Sequence, residues 1–537
     1  MDNPLSGASD RGGSEWGSEN VARIEAIAPA DGGETRGWWA NPLLIAAVIL
    51  LSTVPLLYPK IPPLVDLFGH MGRYRVQLDI GTSPWLRDYY GFHWAAIGNL
   101  GVDLLVMPLG RLMGLELAVK LIVLAIPPMT VGGFLWVSRE VHGRIPPTAF
   151  FALPFAYGHP FLFGFVNFAL SMALAFLAFG LWLRLGRLGR TRLRAWLFVP
   201  ISLVVFFCHT YGWGALGLMC FSAEAVRQHD RGIGWFRAGV NAALQASVMA
   251  LPLIVMLVWR SETHGGGTGD WFHWKLKWLW VEMALRDRWK IYDIASVAAV
   301  LAVLAAALAH PRLTLSRNLA FSGIVLAAGF IIIPRIVFGS AYADMRLAPY
   351  MIAVLVLAIR FQGRPTPLLA NGFAVLALGF FGMRIATTTV SLAMAADDQQ
   401  AKLVALDYIP MGARVATLVG DPCGGTWLLP RDSHLGSMVI VRRQGFSNDQ
   451  WVLEGVNLLE LHYAPAGHFA ADPSQRVRIA KCVVGPLWGM DEALEYLPRK
   501  AFDYVWLINP PPYDPALTEG LQPVWRGSGS ILYRIPK

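Results

Sequence analysis

The chain has 537 residues, of which 55% are hydrophobic and only 15% are charged. With a mean hydropathy of +0.46, this composition excludes an ordinary soluble protein, and apolar runs of transmembrane length recur along the chain. The formal net charge of +9 does not indicate nucleic-acid binding, because the arginines cluster between apolar runs, where they set orientation in a membrane. We therefore predict a multi-pass protein whose partner is the bilayer and not nucleic acid.

The chain begins with a polar tail. Residues 1–36 are rich in Gly, Ser, Asp and Glu without apolar periodicity, which predicts a disordered cytoplasmic tail. A leader this long and acidic does not fit a cleavable signal peptide, so the run Trp38–Tyr58 is predicted to be an uncleaved first span. It delivers a large first external loop, residues 59–114. Residues 94–113 within it are apolar, and we predict a juxtamembrane or re-entrant helix there, because a crossing would reverse the orientation set by the arginines that follow.

The tightest group of arginines fixes the predicted orientation. The positive-inside bias places this group in the cytoplasm; its members are Arg184, Arg187, Arg190, Arg192 and Arg194. Working outward from it, we predict about eleven crossings in all. After the first span they lie at 115–138, 146–158, 163–184, 195–208, 212–226, 238–259, 291–310, 318–334, 347–360 and 367–390. The transmembrane region is thus predicted over residues 37–394.

Composition changes after Leu392, and residues 395–537 are predicted to form an extracytoplasmic α/β domain. A helical pattern covers Ala401–Tyr408, and short β-like runs lie at Val415–Val419, Met438–Val441, Tyr504–Ile508 and Ile531–Ile535. The predicted fold class is therefore mainly α, a polytopic membrane protein with a C-terminal α/β domain. The four cysteines show no metal-binding spacing. A disulfide between Cys423 and Cys482 is one open outcome in an oxidising compartment.

The first external loop contains an acid, an imidazole and a guanidinium at helical spacing. Asp66, His70 and Arg73 follow Pro62-Pro63, and on a helix that starts after the prolines they share one face. That face lies at the membrane surface. One interpretation is a functional site; the alternative is a solvated juxtamembrane helix in which Asp66 pairs with His70 or Arg73.

Other polar residues are predicted at the same leaflet as Asp66. They stand at the outer ends of spans or in external loops, and they are His159, Asn167, His209, His264, Asp344 and Arg346. Ionisable groups at the edge of a bilayer are costly, so their convergence suggests a shared cavity. The alternatives are that the histidines cap helices and that Arg346 snorkels to the interface. An arginine fixed there also suits a phosphate.

The layout resembles the membrane glycosyltransferases of the GT-C fold, the class that contains protein mannosyltransferases and bacterial lipid A and arabinan sugar transferases. Asp66, in Val65-Asp66-Leu67-Phe68-Gly69-His70, occupies the position of the first-loop acid of that class. The segments Gly158–Phe161 and Ala343–Arg346 are similar to those of uncharacterised bacterial members.

The resemblance implies a polyprenyl-phosphate-linked sugar as donor, a lipid, glycan or protein as acceptor, and a bacterial inner membrane location. It implies that Asp66 is the catalytic base, with His70 as its partner or as the alternative base. Arg346 and Arg73 would bind the leaving phosphate, and the other polar residues would line the substrate site. No cofactor is certain. Many members carry paired acids where this chain has Asp66 alone, with Asp79 and Asp88 further on, so a divalent cation is left open.

Two other classes of function remain open. A transporter or flippase of a lipid-linked substrate would place charged sites near the midplane, with internal repeats, whereas here the ionisable residues gather at one surface and no repeat is evident. A non-catalytic scaffold whose external domain binds a partner is the third interpretation. The sequence favours the enzyme.

Overall fold

The computed structural model describes residues 37–262, 267–423, 426–452, 457–482, 485 and 487–537. The predicted tail over residues 1–36 and the candidate residue His264 lie outside this part of the chain. The helices, in chain order, are α1 (Pro42–Leu51), α2 (Val54–Leu57), α3 (Leu67–Asp79), α4 (Gly101–Met113), α5 (Leu115–His142), α6 (His159–Phe163), α7 (Val166–Arg187), α8 (Thr191–Cys208), α9 (Thr210–His229), α10 (Trp235–Ala246), α11 (Leu251–Glu262), α12 (Trp274–Glu282), α13 (Lys290–Ala309), α14 (Arg317–Ile332), α15 (Ala348–Leu357), α16 (Pro367–Lys402), α17 (Met438–Arg443) and α18 (Met490–Glu495).

The strands are short except at the C-terminal end of the chain. They are β1 (Tyr90–Phe92), β2 (Leu313–Leu315), β3 (Ile359–Phe361), β4 (Arg414–Gly420), β5 (Phe446–Ser447), β6 (Leu459–Leu461), β7 (Arg476–Arg478), β8 (Trp488–Gly489), β9 (Tyr504–Ile508), β10 (Gln522–Gly527) and β11 (Ser530–Arg534).

Five helices of the described chain are long and apolar enough to cross a membrane, or up to six if one bent pair counts as a span. They are Leu115–His142, Val166–Arg187, Thr191–Cys208, Lys290–Ala309 and the helical run Pro367–Tyr408. The bent pair is α10 with α11, broken by 59°. Long apolar side chains are exposed on these helices and their neighbours, among them Leu368 at 85% and Ile291 at 86%, as lipid-facing residues would be. The chain is a multi-pass membrane protein.

Several predicted spans are shorter or broken helices. The first, Trp38–Tyr58, divides into α1 and α2, and the spans predicted at 318–334 and 347–360 are the short apolar helices α14 and α15. The run 146–158 is a buried 3₁₀-helix, Pro147–Tyr157, rather than an α-helix of membrane length. Pro154 inside it has no N–H to donate, which disfavours regular α-helical hydrogen bonding there. Residues 94–113, predicted as a juxtamembrane or re-entrant helix, contain α4.

The arginine-rich helix ends lie together at one end of the bundle. Arg187, at the end of α7, pairs with Glu140 of α5, and Arg194, at the start of α8, pairs with Glu224 of α9. The opposite ends of α7, α8 and α9 carry Asn167 and His209. The helix polarity therefore separates the arginine-rich end from the end that carries the candidate polar residues.

Residues 414–534 form a mixed sheet, here named the C-terminal sheet unit. Its described strands run in the order β10-β11-β9-β4-β7-β8, with β5 also paired to β4. The central pairs β4–β9, β4–β7 and β7–β8 are parallel, whereas β9–β11 and β10–β11 are antiparallel. A disulfide joins Cys423 to Cys482, with their Cα atoms 5.6 Å apart.

Most of the secondary structure predicted for this unit is confirmed. The runs Val415–Val419, Tyr504–Ile508 and Ile531–Ile535 coincide with β4, β9 and β11, and Ala401–Tyr408 is helical. The strand predicted at Met438–Val441 is wrong, because these residues begin the helix α17. A fully buried run of four apolar residues has no periodicity that separates a strand from a helix. Helix α16 also continues through the predicted boundary at 394/395.

The first external loop is packed on the C-terminal sheet unit. Strand β1 of the loop pairs antiparallel with β6. The Arg75 side chain donates to the carbonyl of Val441 at 3.0 Å, and Ser83 donates to the Gln444 side chain at 2.7 Å. Helix α3, which begins directly after Asp66, therefore lies between the helical bundle and the sheet unit.

Candidate functional site

Asp66 is fixed by backbone hydrogen bonds on both sides. Its N–H donates to the carbonyl of Phe163 at 2.9 Å, and its own carbonyl accepts from the N–H of His70 at 3.1 Å, which opens helix α3. It stands at the N-cap position, but its side chain makes no capping hydrogen bond. The Asp66 side chain therefore does not cap α3, which is the usual structural role of an aspartate at this position.

The C-terminal sheet unit places a histidine and a second acid beside Asp66. The Nε2 atom of His434 lies 4.0 Å from Oδ1 of Asp66 and 3.9 Å from Oδ1 of Asp472. The other ring nitrogen, Nδ1, lies 2.9 Å from the backbone carbonyl of Asp449. Trp451 packs on the His434 ring, with 4.1 Å between ring centroids. The site therefore combines residues from two distant parts of the chain.

The surroundings of Asp66 bring the pKa of its carboxyl close to neutral pH. Burial raises its pKa from 3.8 to about 7; His434 and Arg346 oppose the rise in pKa, whereas Asp472 adds to it. Its side chain keeps 13% exposure. A carboxyl with these properties can exchange a proton at neutral pH, which a surface aspartate cannot do efficiently.

His70 lies one helical turn from Asp66 but faces a different neighbour. Its ring packs near Trp451 at 5.3 Å and near Tyr74 at 6.3 Å between centroids. Burial, together with the charges of Arg73, His434 and Arg346, lowers its pKa well below the ordinary value. His70 is therefore neutral, and the imidazole within 4.0 Å of the Asp66 carboxylate is His434.

Arg346 occupies an aromatic and polar pocket next to the bundle end. Its guanidinium lies 4.4 Å from the ring centroid of Phe165 and 5.5 Å from that of Tyr211. It lies 3.2 Å from Nε2 of His209 and donates to the hydroxyl of Ser340 at 3.2 Å. Arg346 is 7% exposed, and no carboxylate of the described residues pairs with it within 4.0 Å. Buried arginines usually have such a partner.

One short loop joins Asp66 to Arg346. The carbonyl of Phe163 holds the Asp66 backbone, and the ring of Phe165 lies under the Arg346 guanidinium. Gly164 between them has φ of +100°, and a Cβ atom there would lie 2.6 Å from the Asp66 nitrogen. Only glycine permits both the left-handed conformation and this close approach.

Arg73 and Asn167 belong to a separate buried network. Arg73 pairs with Asp103 at 2.8 Å, and the Asn167 side chain donates to the same carboxylate at 3.0 Å while accepting from the N–H of Val102 at 2.6 Å. These contacts join α3, α4 and α7. Their predicted role in substrate binding stays a prediction, and the Asp66–Arg73 pair of the alternative interpretation is not formed.

Asp344 and His159 are also enclosed by protein groups. Asp344 pairs with Lys277 at 3.1 Å and caps the 3₁₀-turn Met345–Leu347 through the N–H of Met345. His159 is buried between the aromatic rings of Phe163 and Trp280. Both stay predicted substrate contacts. Of the predicted residues, Asp66 contacts the 163–165 loop through Phe163, and Arg346 contacts it through Phe165 and lies next to His209.

Sequence reasoning missed His434, Asp449, Trp451 and Asp472. They fall in two short polar stretches, 431–434 and 448–451, and beside Pro473, all of which look like surface turns of an independent domain. The only signal in the sequence is that these stretches are unusually rich in His, Asp, Asn, Gln and Trp.

The described residues contain no group of three or more His, Cys, Asp and Glu side chains arranged to hold a metal ion. The Nε2 atom of His434 lies close to both carboxylates, those of Asp66 and Asp472. The divalent cation that the sequence left open stays a prediction.

Comparisons with known proteins give structural neighbours only. No protein-family model and no curated protein matches the chain. The crystal structure of ArnT from Cupriavidus metallidurans in the apo state is 13% identical, with a TM-score of 0.46, and the match covers 91% of this chain and 97% of that one. The structure of ArnT from the same organism bound to undecaprenyl phosphate is 12% identical, with a TM-score of 0.48. That match covers 93% of this chain and 98% of the ArnT chain. Similarity at these values does not establish a shared activity.

Proposed function

We propose that this protein is a GT-C-type membrane glycosyltransferase that transfers a sugar from a polyprenyl-phosphate donor to an extracytoplasmic lipid, glycan or protein acceptor. One observation carries the proposal: a carboxyl with a pKa of about 7 and a buried guanidinium without a carboxylate partner are held by the same three-residue loop. The pair supplies a base and an anion site, the two groups that sugar transfer from a phosphate requires.

In the proposed reaction Asp66 accepts the proton of the acceptor hydroxyl. The hydroxyl oxygen forms a bond to the anomeric carbon as the bond from that carbon to the phosphate oxygen breaks. The electron pair leaves with the polyprenyl phosphate, which gains a negative charge. Arg346 stabilises that charge, because a guanidinium already desolvated among Phe165 and Tyr211 interacts with an anion more strongly than one in water.

We place the first external loop and the C-terminal sheet unit outside the cytoplasm. The Cys423–Cys482 disulfide supports this placement, because disulfides persist in oxidising compartments. The arginine-rich helix ends on the opposite side of the bundle support it independently, since positive charge favours the cytoplasmic side. Alkylation of intact cells followed by reduction tests the placement: the two cysteines should react only after a reductant is added.

The test of function is sugar transfer by purified protein in liposomes. Labelled polyprenyl-phosphate sugars serve as donors, and total membrane lipid and glycan serve as acceptors. We expect Asp66→Asn to lower transfer by about 10²- to 10⁴-fold and Arg346→Met to lower it to a similar extent. Asp88→Asn, an exposed acid in the same loop, is the matched control and should retain activity. Undiminished transfer by folded Asp66→Asn would contradict the proposal.

A further inference from the structure

His434 is the structural link between the C-terminal sheet unit and Asp66. Its Nδ1 lies 2.9 Å from the carbonyl oxygen of Asp449, and because a carbonyl only accepts, Nδ1 carries a hydrogen. The ring nitrogen left free of this contact is therefore Nε2. That atom faces Asp66 and Asp472 at 4.0 and 3.9 Å.

The orientation of the His434 ring is set by its contacts with Trp451 and with the Asp449 carbonyl. Trp451 packs on one face at 4.1 Å between centroids, and Gly69 of α3 allows this close approach, since a Cβ atom at Gly69 would lie 2.5 Å from the Trp451 ring. His434 is 4% exposed. A buried imidazole held this firmly cannot turn away from the two carboxylates when a substrate enters.

Asp472 is held in turn by its own neighbours. Its N–H donates to the carbonyl of Gln450 at 3.0 Å, and its side chain accepts from the amide of Gln475 at 2.7 Å. The Gln450 side chain donates to the carbonyl of Gly69 at 3.2 Å, so the segment that carries Asp472 is tied to helix α3. The two carboxylates thus keep a fixed relation to the single nitrogen between them.

We propose that His434 is a positioning residue for Asp66, and that the C-terminal sheet unit supplies His434 and Asp472 as opposing charges that set the pH at which Asp66 acts as a base. The inference rests on the proposed function of Asp66. The charged and titratable groups that face Asp66 are His434, Asp472, Arg346 and Arg476, and His434 also influences Asp449 and His70.

The arrangement predicts shifts of opposite sign. His434 opposes the rise in the pKa of Asp66, so its removal raises that pKa further. Asp472 disfavours ionised Asp66, so its neutralisation lowers that pKa. A purely structural role for either residue would lower activity at all pH values without moving the acidic limb of the pH profile.

The decisive experiment compares His434→Asn and Asp472→Asn across pH 5 to 9. The Asn amide can still donate to the Asp449 carbonyl, so His434→Asn removes chiefly Nε2. We expect the acidic limb of kcat/KM to move up by about one pH unit in His434→Asn and down in Asp472→Asn. For His434→Asn this corresponds to about a fivefold loss at pH 7 that disappears near pH 9. His468→Gln, an exposed histidine of the same unit, is the control and should keep the wild-type profile.

Infrared spectroscopy separates failure of this inference from failure of the proposed function. The carboxylic-acid C=O band of Asp66, assigned by its loss in Asp66→Asn, is titrated in the full-length protein without substrate. Opposite shifts of its midpoint in the two variants support the inference even if no donor yields product. An unchanged midpoint, or shifts of the same sign, overturns it even if transfer depends on Asp66. If one variant does not fold, the direction of shift in the other still decides.

Discussion

The protein contains two sets of buried charged side chains, and they differ in how closely the charges are paired. In the closed set, carboxylate and cation are in direct contact: Arg73 with Asp103 at 2.8 Å, Lys277 with Asp344 at 3.1 Å and Arg384 with Asp293 at 2.8 Å. In the open set, Asp66 is 4.0 Å from His434, and Arg346 has only neutral protein partners among the described residues. Closed pairs hold helices together, whereas open charges remain available to a ligand.

The closed set also positions the open one. Asp293 of α13 accepts from Trp427 at 2.7 Å in addition to Arg384 of α16. Arg431 pairs with Asp287 at 2.6 Å. The contacts of Trp427 and Arg431 anchor the segment that leads to His434 onto α13 and the residues just before it. Because unpaired buried charge is costly, the protein keeps it only where the surrounding pairs fix the geometry.

The largest expected effect contrasts two buried arginines. Arg73→Met leaves Asp103 buried without its cation, and we expect the free energy of unfolding to fall by on the order of 3–5 kcal/mol. Arg346→Met leaves only neutral partners, the Ser340 hydroxyl and the His209 ring, so we expect a loss of no more than about 2 kcal/mol. Unfolding in detergent, followed by denaturant titration, measures both.

In a binding assay we expect the opposite order of effects, with Arg346→Met impaired more than Arg73→Met. Arg346→Met should weaken binding of a polyprenyl phosphate such as undecaprenyl phosphate by about tenfold or more, since a charge-assisted contact is lost. Folded protein carrying Arg73→Met should bind with little change. Equal destabilisation by the two variants would show that the open and closed arginines are not different in kind.

The pH dependence of stability tests the open acid directly. The pKa of Asp66 in the folded protein, about 7, lies above the ordinary 3.8, so the folded state binds more protons between these values. Its contribution to stability is therefore fully present below about pH 4 and is lost as pH rises through 7, by up to about 4 kcal/mol.

The measurement compares wild type with Asp66→Asn at pH 5 and pH 8. Asparagine does not titrate, so the Asn variant does not lose this contribution as pH rises. Its free energy of unfolding, relative to that of wild type, should therefore increase with pH. Asp88→Asn, whose carboxyl is exposed, should show no such trend. A difference between wild type and Asp66→Asn that is independent of pH would mean that Asp66 is solvated like a surface acid.

The fold was predictable where local pattern decides and not where long-range packing does. The long apolar runs that became α5, α7 and α13 and the strands β4 and β9 carry clear periodicity or length signals. The buried 3₁₀-helix Pro147–Tyr157 is as apolar as a span, and only its prolines indicate otherwise. The count of about eleven spans rested on the length of the apolar runs and on the positions of the arginines, and neither shows which runs form short or broken helices.

For the candidate site, sequence reasoning located one half. Asp66 and Arg346 stand out because charge next to apolar runs is rare. His434 and Asp472 lie about 370 and 400 residues further along the chain, and polar residues in a mixed segment carry no such signal. Arg73 shows what helical spacing alone does not predict. It lies on the same helix as predicted, but its side chain pairs with Asp103 of another helix.

Gly164 offers a way to break the open site without touching its charges. In Gly164→Ala the new methyl group meets the Asp66 backbone at 2.6 Å, and the φ of +100° is strained, so we expect a loss of about 3 kcal/mol with displacement of Asp66. Gly189→Ala, at φ of +69° with no atom within 4 Å, is the control and should cost about 1 kcal/mol. Sugar transfer should fall in the first variant only. Full transfer by Gly164→Ala would show that Asp66 does not need this position.

The smallest expected effect concerns a closed pair at the surface. Arg442 of the C-terminal sheet unit makes two hydrogen bonds to Glu116 at the start of α5, at 2.8 and 3.0 Å, but both side chains are about one-third exposed. Water screens such a pair, so Arg442→Gln should change the free energy of unfolding by less than about 1 kcal/mol and leave transfer unaltered. If closed contacts stabilise in proportion to burial, denaturant titration should rank Arg73→Met far above Arg442→Gln although the donor–acceptor distances are alike. A similar cost for both variants would mean that contact distance, and not burial, separates the closed set from the open one.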